Sequence, residues 1–311
     1  MLRTYALTLA FAGMIASLAA CGGGNSSSSS TTGTTAESAG DITVGGSTAL
    51  LPLVKQAAVD YQTKNPSVKI SVSGGGSRVG ITQAAQGGFQ IGDSDIPAPG
   101  EPGLVDHKVA VVSFGVVVNP KAGVKDLTTQ QVRDVFTGKV TNWKQVGGAD
   151  QPITIVNRPS SSGTRAVFVK TLMGGTQPSA SGLTQDSSGT VATIVGQTAG
   201  ATSYLAMGYM RPGSVVAVSV DGVSPSDANV ISGKYKYWSY EHMFTKGQPS
   251  KPVAAFIAFV THDTPLLNQL HFIPVPAMKG LRISAAIRIR KSVGNYRSVG
   301  SGSDGLFAMS G

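Results

Sequence analysis

From Asp41 onward the chain alternates short apolar runs, glycine-rich turns and segments with apolar residues at helical spacing, a pattern that predicts an α/β protein. Ile42 to Val44 reads as a strand and is followed by GSTALLP, whose Pro52 suits the first turn of a helix, where its missing N–H is no loss. Leu53, Val54, Ala57, Ala58 and Tyr61 then recur on one helical face until Asn65-Pro66 stops the run. The order repeats: Val68 to Val72 alternates as a strand, SGGGSRVG turns, and Ile81, Ala84 and Ala85 mark a second helix. Val109 to Val118 is a long apolar strand, and a capping-box pattern at Thr128 and Gln131 opens a helix that ends near Phe136. A third unit runs from a strand at Ile153 to Val156, through NRPSSSGT, into a helix over Arg165 to Met173. DSSGTV opens another helix, residues 203–207 and 215–220 read as strands, and Ala254 to Val260 reads as a buried apolar segment.

Ahead of this body the pattern changes. Residues 1–20 carry an early cation, Arg3, then an apolar run from Ala6 to Leu18 and small residues, which is the layout of a secretory signal. The closing LAAC resembles the bacterial lipobox, so Cys21 is expected to become the first residue and to carry a lipid. Residues 21–40 continue as a Gly/Ser/Thr stretch that cannot bury apolar surface, a tether with a span on the order of 25 Å.

Composition narrows the class. In 311 residues only 13% are charged and one is Cys, which excludes a coiled coil and a disulfide framework. The net charge of +9 suggests nucleic acid until it is located. Lys279, Arg282, Arg288, Arg290, Lys291 and Arg297 crowd residues 279–311 against Asp304 alone, and the body has no basic stripe interleaved with aromatics. No nucleic-acid partner is expected. His107, His242, His262 and His271 fall in different elements at no metal-ligand spacing, so neither a metal nor a cofactor is expected.

The candidate chemistry lies in loops that follow strands and precede helices: GST at 46–48, GGGSR at 74–78 and RPSSSGTR at 158–165. Ligands of open α/β sheets bind outside the carboxyl ends of the strands. Each loop offers backbone N–H groups, hydroxyls and the positive end of a helix dipole, which together suit an anion. Any one loop reads more readily as an ordinary helix cap; three of them together with Arg158 shift the balance to a small tetrahedral oxyanion. Asp95 would repel a fully ionised ligand but would accept a hydrogen bond from one that still carries a proton, as phosphate does and sulfate does not. Asp93, in the same IGDSDIP run, reads as a turn residue before Pro97. WSYEH reads as hinge and packing structure in preference to a catalytic His-Glu pair.

At these residues the chain resembles the phosphate-binding proteins of bacterial high-affinity phosphate ABC transporters. The resemblance spans about Asp41 to Met278 and is carried by GSTALLPLV, SGGGSRVGI, IGDSDIP, LVDHKVAVV, VFTGKVTNWKQVGG, RPSSSGTRAVF, QDSSGTV and WSYEHMFTKG. It implies a two-lobed α/β fold of the periplasmic-binding-protein type (type II) with the ligand cleft between the lobes. The first lobe is expected over 41–116 and 244–278, the second over 117–243, and 279–311 has no counterpart. By motif the resemblance places Ser47, Thr48, Ala49, Ser77, Asp95, Arg158, Ser162, Gly163 and Thr164 on the phosphate. Ser160 and Ser161 stand where many members carry Asp-Gly, which leaves Arg158 without an acidic partner and less restrained.

The implied role is capture of inorganic phosphate outside the cytoplasm by a lipid-anchored monomer. Delivery would be to the permease subunits of an ABC importer and their ATPase. A site for sulfate or molybdate on the same fold is the alternative. A serine hydrolase or phosphatase using Ser77 or Ser162 is disfavoured, because the chain has no GxSxG elbow and no GxxxxGK[ST] loop, and no catalytic residue is expected.

Overall fold

The structure is a computed structural model that describes residues 41–211 and 213–278. The expected signal segment, Cys21 with its tether, and residues 279–311 lie outside the described residues.

The chain begins with β1 (Ile42–Gly46), α1 (Leu51–Lys64), β2 (Ile70–Ser73), α2 (Ser77–Gln86) and β3 (Ile91–Ser94). Pro52 lies in the first turn of α1, Asn65 ends it, and Leu53, Val54, Ala57 and Ala58 are its buried residues. β1 pairs in parallel with both β2 and β3, so their carboxyl ends and the starts of α1 and α2 share one edge. Gly46 makes the turn out of β1 possible: its φ is +137°, and a Cβ there would lie 2.2 Å from the Asp93 carbonyl oxygen.

β4 (Leu104–Val118) leads to β5 (Asp126–Leu127), α3 (Thr129–Phe136), β6 (Thr154–Asn157), α4 (Gly163–Thr171), β7 (Leu183–Thr184), α5 (Ser188–Gln197), β8 (Ala201–Ala206), β9 (Val216–Val220) and α6 (Asp227–Ile231). β10 (Trp238–Lys246) then rejoins the first lobe, followed by α7 (Lys251–His262), α8 (Thr264–Gln269) and β11 (Phe272–Ile273). The capping box at the start of α3 forms in both directions: Gln131 N donates to Thr128 Oγ1 at 3.1 Å, and Thr128 N donates to Gln131 Oε1 at 2.8 Å. The apolar run Ala254 to Val260 is the body of α7. No helix of the described residues is long and apolar enough to cross a membrane.

Strand order β2-β1-β3-β10-β4-β8-β6-β7 links the two lobes through β4. Leu104–Ser113 pairs antiparallel with β10, and Phe114–Val118 with β8. At the changeover Phe114 N donates to Tyr237 O at 3.0 Å. Strand pairing thus changes partner at residues 113–114 and 237–238. Residues 109–118 are buried throughout, so no change of polarity marks the changeover. β4 also starts at Leu104, ahead of Val109, because its first residues alternate between partly buried and exposed as a half-covered strand does.

The second lobe packs around aromatics. Phe168 stacks on Tyr204 with centroids 4.2 Å apart, and Phe136 meets Phe168 edge-on at 4.7 Å. Each such pair adds about 0.5–1.5 kcal/mol beyond its buried area. The Tyr204 hydroxyl at the end of this stack accepts a hydrogen bond from Arg158 N at 3.3 Å, so packing of the lobe fixes the start of the loop that carries the cation.

Candidate functional site

Helix starts converge at the junction of the lobes, and every residue expected there is buried. Asp95 lies just past the carboxyl end of β3. Its carboxyl accepts from the Ser47 hydroxyl at Oδ1 and from Thr164 Oγ1 at 2.7 Å at Oδ2, a donor from each lobe. Its backbone N donates to Ser77 Oγ at 2.9 Å. Ser47 Oγ also accepts from Ala49 N at 3.0 Å and Leu50 N at 3.2 Å, which leaves its own hydrogen to donate to the carboxylate.

Arg158 follows β6 and is 1% exposed. Its Nη2 donates to Thr48 Oγ1 at 2.9 Å, across the lobe junction, and its Nη1 donates to Ser188 Oγ at 3.0 Å. Nε reaches Gln185 O at 3.0 Å and Nη2 reaches Asp186 O at 2.6 Å. The expectation that Arg158 is loosely held without an acidic partner is therefore overturned: backbone carbonyls of the β7–α5 loop take that role. Thr48 Oγ1 and Ser188 Oγ are themselves 2.9 Å apart. Among the described residues the guanidinium and the Asp95 carboxylate make no direct ion pair; hydroxyls lie against each.

Burial lowers the proton affinity of Arg158, and Asp95 opposes that shift; a guanidinium stays charged regardless. Burial raises the pKa of Asp95, and the Ser47 and Thr164 hydrogen bonds and then the Arg158 charge offset only part of that rise. The site therefore holds one anion and one cation with short hydroxyls around them. Tetrahedral oxygens placed there would meet N–H and O–H donors on several sides and a single acceptor, Asp95, that requires a proton from the ligand.

Ser47, Thr48, Ser77, Asp95, Arg158, Gly163 and Thr164 come together directly. Ala49 takes part through its backbone. Ser162 serves as the cap of α4, its Oγ accepting from Arg165 N at 3.2 Å. Sequence reasoning missed Ser188 and Tyr209. Ser188 had a visible signal, since SSGT occurs at both helix starts, residues 161–164 and 187–190. Tyr209 had none; its hydroxyl donates to Thr48 O at 2.7 Å, and burial pushes its pKa up to about 12, so it remains a donor at neutral pH.

Asp93 is corrected outright. It lies within β3 and not in a turn, it is fully buried, and neither carboxyl oxygen has a hydrogen-bond donor. Burial first, and then the neighbouring Asp95, raise its pKa well above the ordinary carboxylate value. Glu241 and His242 of WSYEH point to opposite faces of β10, and His242 Nδ1 lies 2.7 Å from Asp106 Oδ1, so they form no pair.

The lobes meet closely. Arg78 N donates to Ser161 O at 3.1 Å and Arg78 Nε to Ser160 O at 3.0 Å. A Cβ on Gly163 would lie 2.1 Å from Ser77 Oγ and 2.9 Å from Asp95 Cβ.

The sequence profile of the PBP superfamily domain matches residues 28–288. The phosphate-binding protein PstS of Bacillus subtilis (strain 168) is 42% identical over 254 residues, covering 79% of this chain and 84% of that protein. A substrate-binding protein of Clostridium perfringens assigned to phosphate ABC transport, solved with bound phosphate, is 31% identical with a TM-score of 0.72, covering 76% of this chain and 100% of that one. An ABC-type phosphate transport receptor from Vibrio cholerae is 28% identical with a TM-score of 0.61, covering 75% and 99%.

Gly163→Ala should leave both lobes folded but hold them apart, read as a larger radius of gyration in small-angle scattering at unchanged circular dichroism. An unaltered radius would show that the lobes do not need this approach. Because Asp93 keeps its proton in the folded chain and loses it above about pH 4 when unfolded, it withdraws stability as pH rises. Asp93→Asn should thus gain on the unaltered protein with rising pH, by up to about 1.4 kcal/mol per pH unit until the folded-state pKa is passed. A melting-temperature difference that stays constant between about pH 4 and 8 would contradict this.

Proposed function

The chain belongs to the PBP superfamily and, within it, to the phosphate-binding proteins of ABC transporters, and from this premise we propose that it captures inorganic phosphate outside the cytoplasm for an ABC importer. The observation that carries the reading is the buried Asp95 carboxylate set among hydroxyl donors and the Arg158 cation. Arg158, Thr48, Ser188 and the helix starts supply positive potential and donors for the ligand oxygens. Asp95 accepts a hydrogen bond from the O–H that phosphate retains. Ser47, Ser77, Thr164 and the backbone of Ala49 and Gly163 complete the shell, with Ser162 acting through the α4 start.

Selectivity follows from one unsatisfied contact. A sulfate oxygen placed against Asp95 brings no hydrogen, so two acceptors face each other in a buried site, which costs about 1–3 kcal/mol or more. This argues for phosphate over sulfate or molybdate. A hydrolase using Ser77 or Ser162 is disfavoured because both hydroxyls accept backbone N–H groups in structural roles.

Lobe closure over the ligand presents a compact surface to permease subunits, whose ATPase drives import; the binding protein acts as a monomer. Lipid on Cys21 and the tether after it would keep the body beside the membrane.

Isothermal titration of the full chain should show saturable phosphate binding and far weaker sulfate binding. Arg158→Ala should weaken phosphate by at least about 100-fold, since it strands a buried anion. Ser188→Ala should cost about 10-fold. Asp95→Asn should narrow the phosphate-to-sulfate ratio. Sulfate bound as tightly as phosphate by the unaltered protein would sink the reading. Cys21→Ser should move the protein from the membrane fraction to the soluble fraction, and unchanged fractionation would remove the anchor.

A further inference from the structure

Glu241 is a buried carboxyl that the site described so far does not use. It lies on β10, which pairs antiparallel with β3 in the register His242 to Ser94 and Met243 to Asp93. Strand alternation therefore puts Glu241 on the same face as Asp93 and brings it opposite the Asp95 end of β3. Beside it the pairing of β10 with β4 slips by one residue between Glu241 and His242, an irregularity of the kind that re-aims a side chain. Ser239, two residues earlier on the same face, donates to Asp95 O at 2.6 Å. β10 thus backs Asp95 at both its main chain and its carboxyl.

Glu241 is 0% exposed, and neither of its oxygens has a hydrogen-bond partner among the described residues. Extending the β10–β3 register by one step sets Glu241 opposite Asp95, the charged neighbour that acts most strongly on its carboxyl. Two carboxyls buried side by side are tolerated only if one of them keeps a proton. The proton stays on Glu241, because Asp95 has the Ser47 and Thr164 donors and the Arg158 field to stabilise its negative charge, and Glu241 has no such support. Burial and the neighbouring Asp95 and Asp93 raise the Glu241 pKa in the same sense.

We propose that Glu241 is a positioning residue for the ligand, a neutral carboxylic acid whose O–H donates to the Asp95 carboxylate and fixes it as the acceptor of the ligand's proton. The proposal rests on the reading that Asp95 meets phosphate. With Ser47, Thr164 and Glu241 all donating to it, Asp95 keeps room for about one more hydrogen, which the ligand supplies. The pair also gives binding an alkaline limit. When Glu241 loses its proton, Asp95 loses a donor and gains a like charge, and the site turns against an anion. The charged or titratable groups facing Glu241 are few. Asp93 and Asp95 come from β3 and Arg158 acts through Asp95; the β4 residue opposite is Ala110, with Asp106, His107 and Lys108 further along; α2 brings only Arg78, which is exposed; Tyr237 lies on its own face of the chain.

The test is phosphate and sulfate titration of the full chain from about pH 5 to 10, a range in which phosphate always keeps a proton, for the unaltered protein, Glu241→Gln and Glu241→Ala. Glu241→Gln keeps a donor that cannot ionise. It should bind phosphate within about threefold of the unaltered protein at neutral pH and move the alkaline fall-off upward or remove it. Glu241→Ala should weaken phosphate by about tenfold or more and lower the phosphate-to-sulfate ratio, with circular dichroism unchanged. If Glu241→Ala leaves affinity, ratio and pH profile as they were, or if Glu241→Gln loses as much as Glu241→Ala, the proposal is overturned while the phosphate reading stands. If the unaltered protein binds no phosphate, both are overturned together.

Discussion

Two opposite charges, Asp95 and Arg158, are buried a short way apart and kept from touching. Taking each out of water costs several kcal/mol, and direct pairing would recover part of that. The chain instead surrounds each charge with hydroxyls and carbonyls drawn from both lobes, at distances from 2.6 to 3.0 Å around the guanidinium. Only strand-to-helix connections can bring short donors to such a point, because a helix start has N–H groups and hydroxyls to spare. The parallel pairing of β1 with β2 and β3, and of β6 with β7 and β8, exists to aim those connections at one place.

Much of this was legible in the residues. The strand, turn and helix of the first unit, the capping box at Thr128 and Gln131, and the loop at Arg158 follow from local chemistry, and each has the expected form. The buried carboxyls were not legible, because Asp and Glu in a strand look the same in sequence whether they face water or a second carboxyl. Asp93 sits in IGDSDIP, where glycine, serine and a following proline signal a turn, yet tertiary pairing of β3 on both edges holds it in a strand. The restraint on Arg158 was invisible for a related reason: it comes from main-chain carbonyls, which every sequence has and none advertises.

Ser188 apart, the polar groups missing from the sequence reading lie behind the shell proposed to face the anion. The shell uses residues with strong local preferences for helix starts. The layer behind it, Glu241, Asp93, Tyr209 and the carbonyls of Gln185 and Asp186, depends on how distant strands and loops come together. A substitution in that layer would change proton affinity and orientation without removing a contact to the ligand.

The two passages between the lobes lie side by side and are stitched by the Phe114 N to Tyr237 O hydrogen bond. A paired ribbon of this kind flexes readily across its flat face but resists sliding and twisting along its length. Were the lobes to close over the proposed ligand, such a ribbon would confine the movement to something near a single angle, and that angle is all a membrane partner would need to sense.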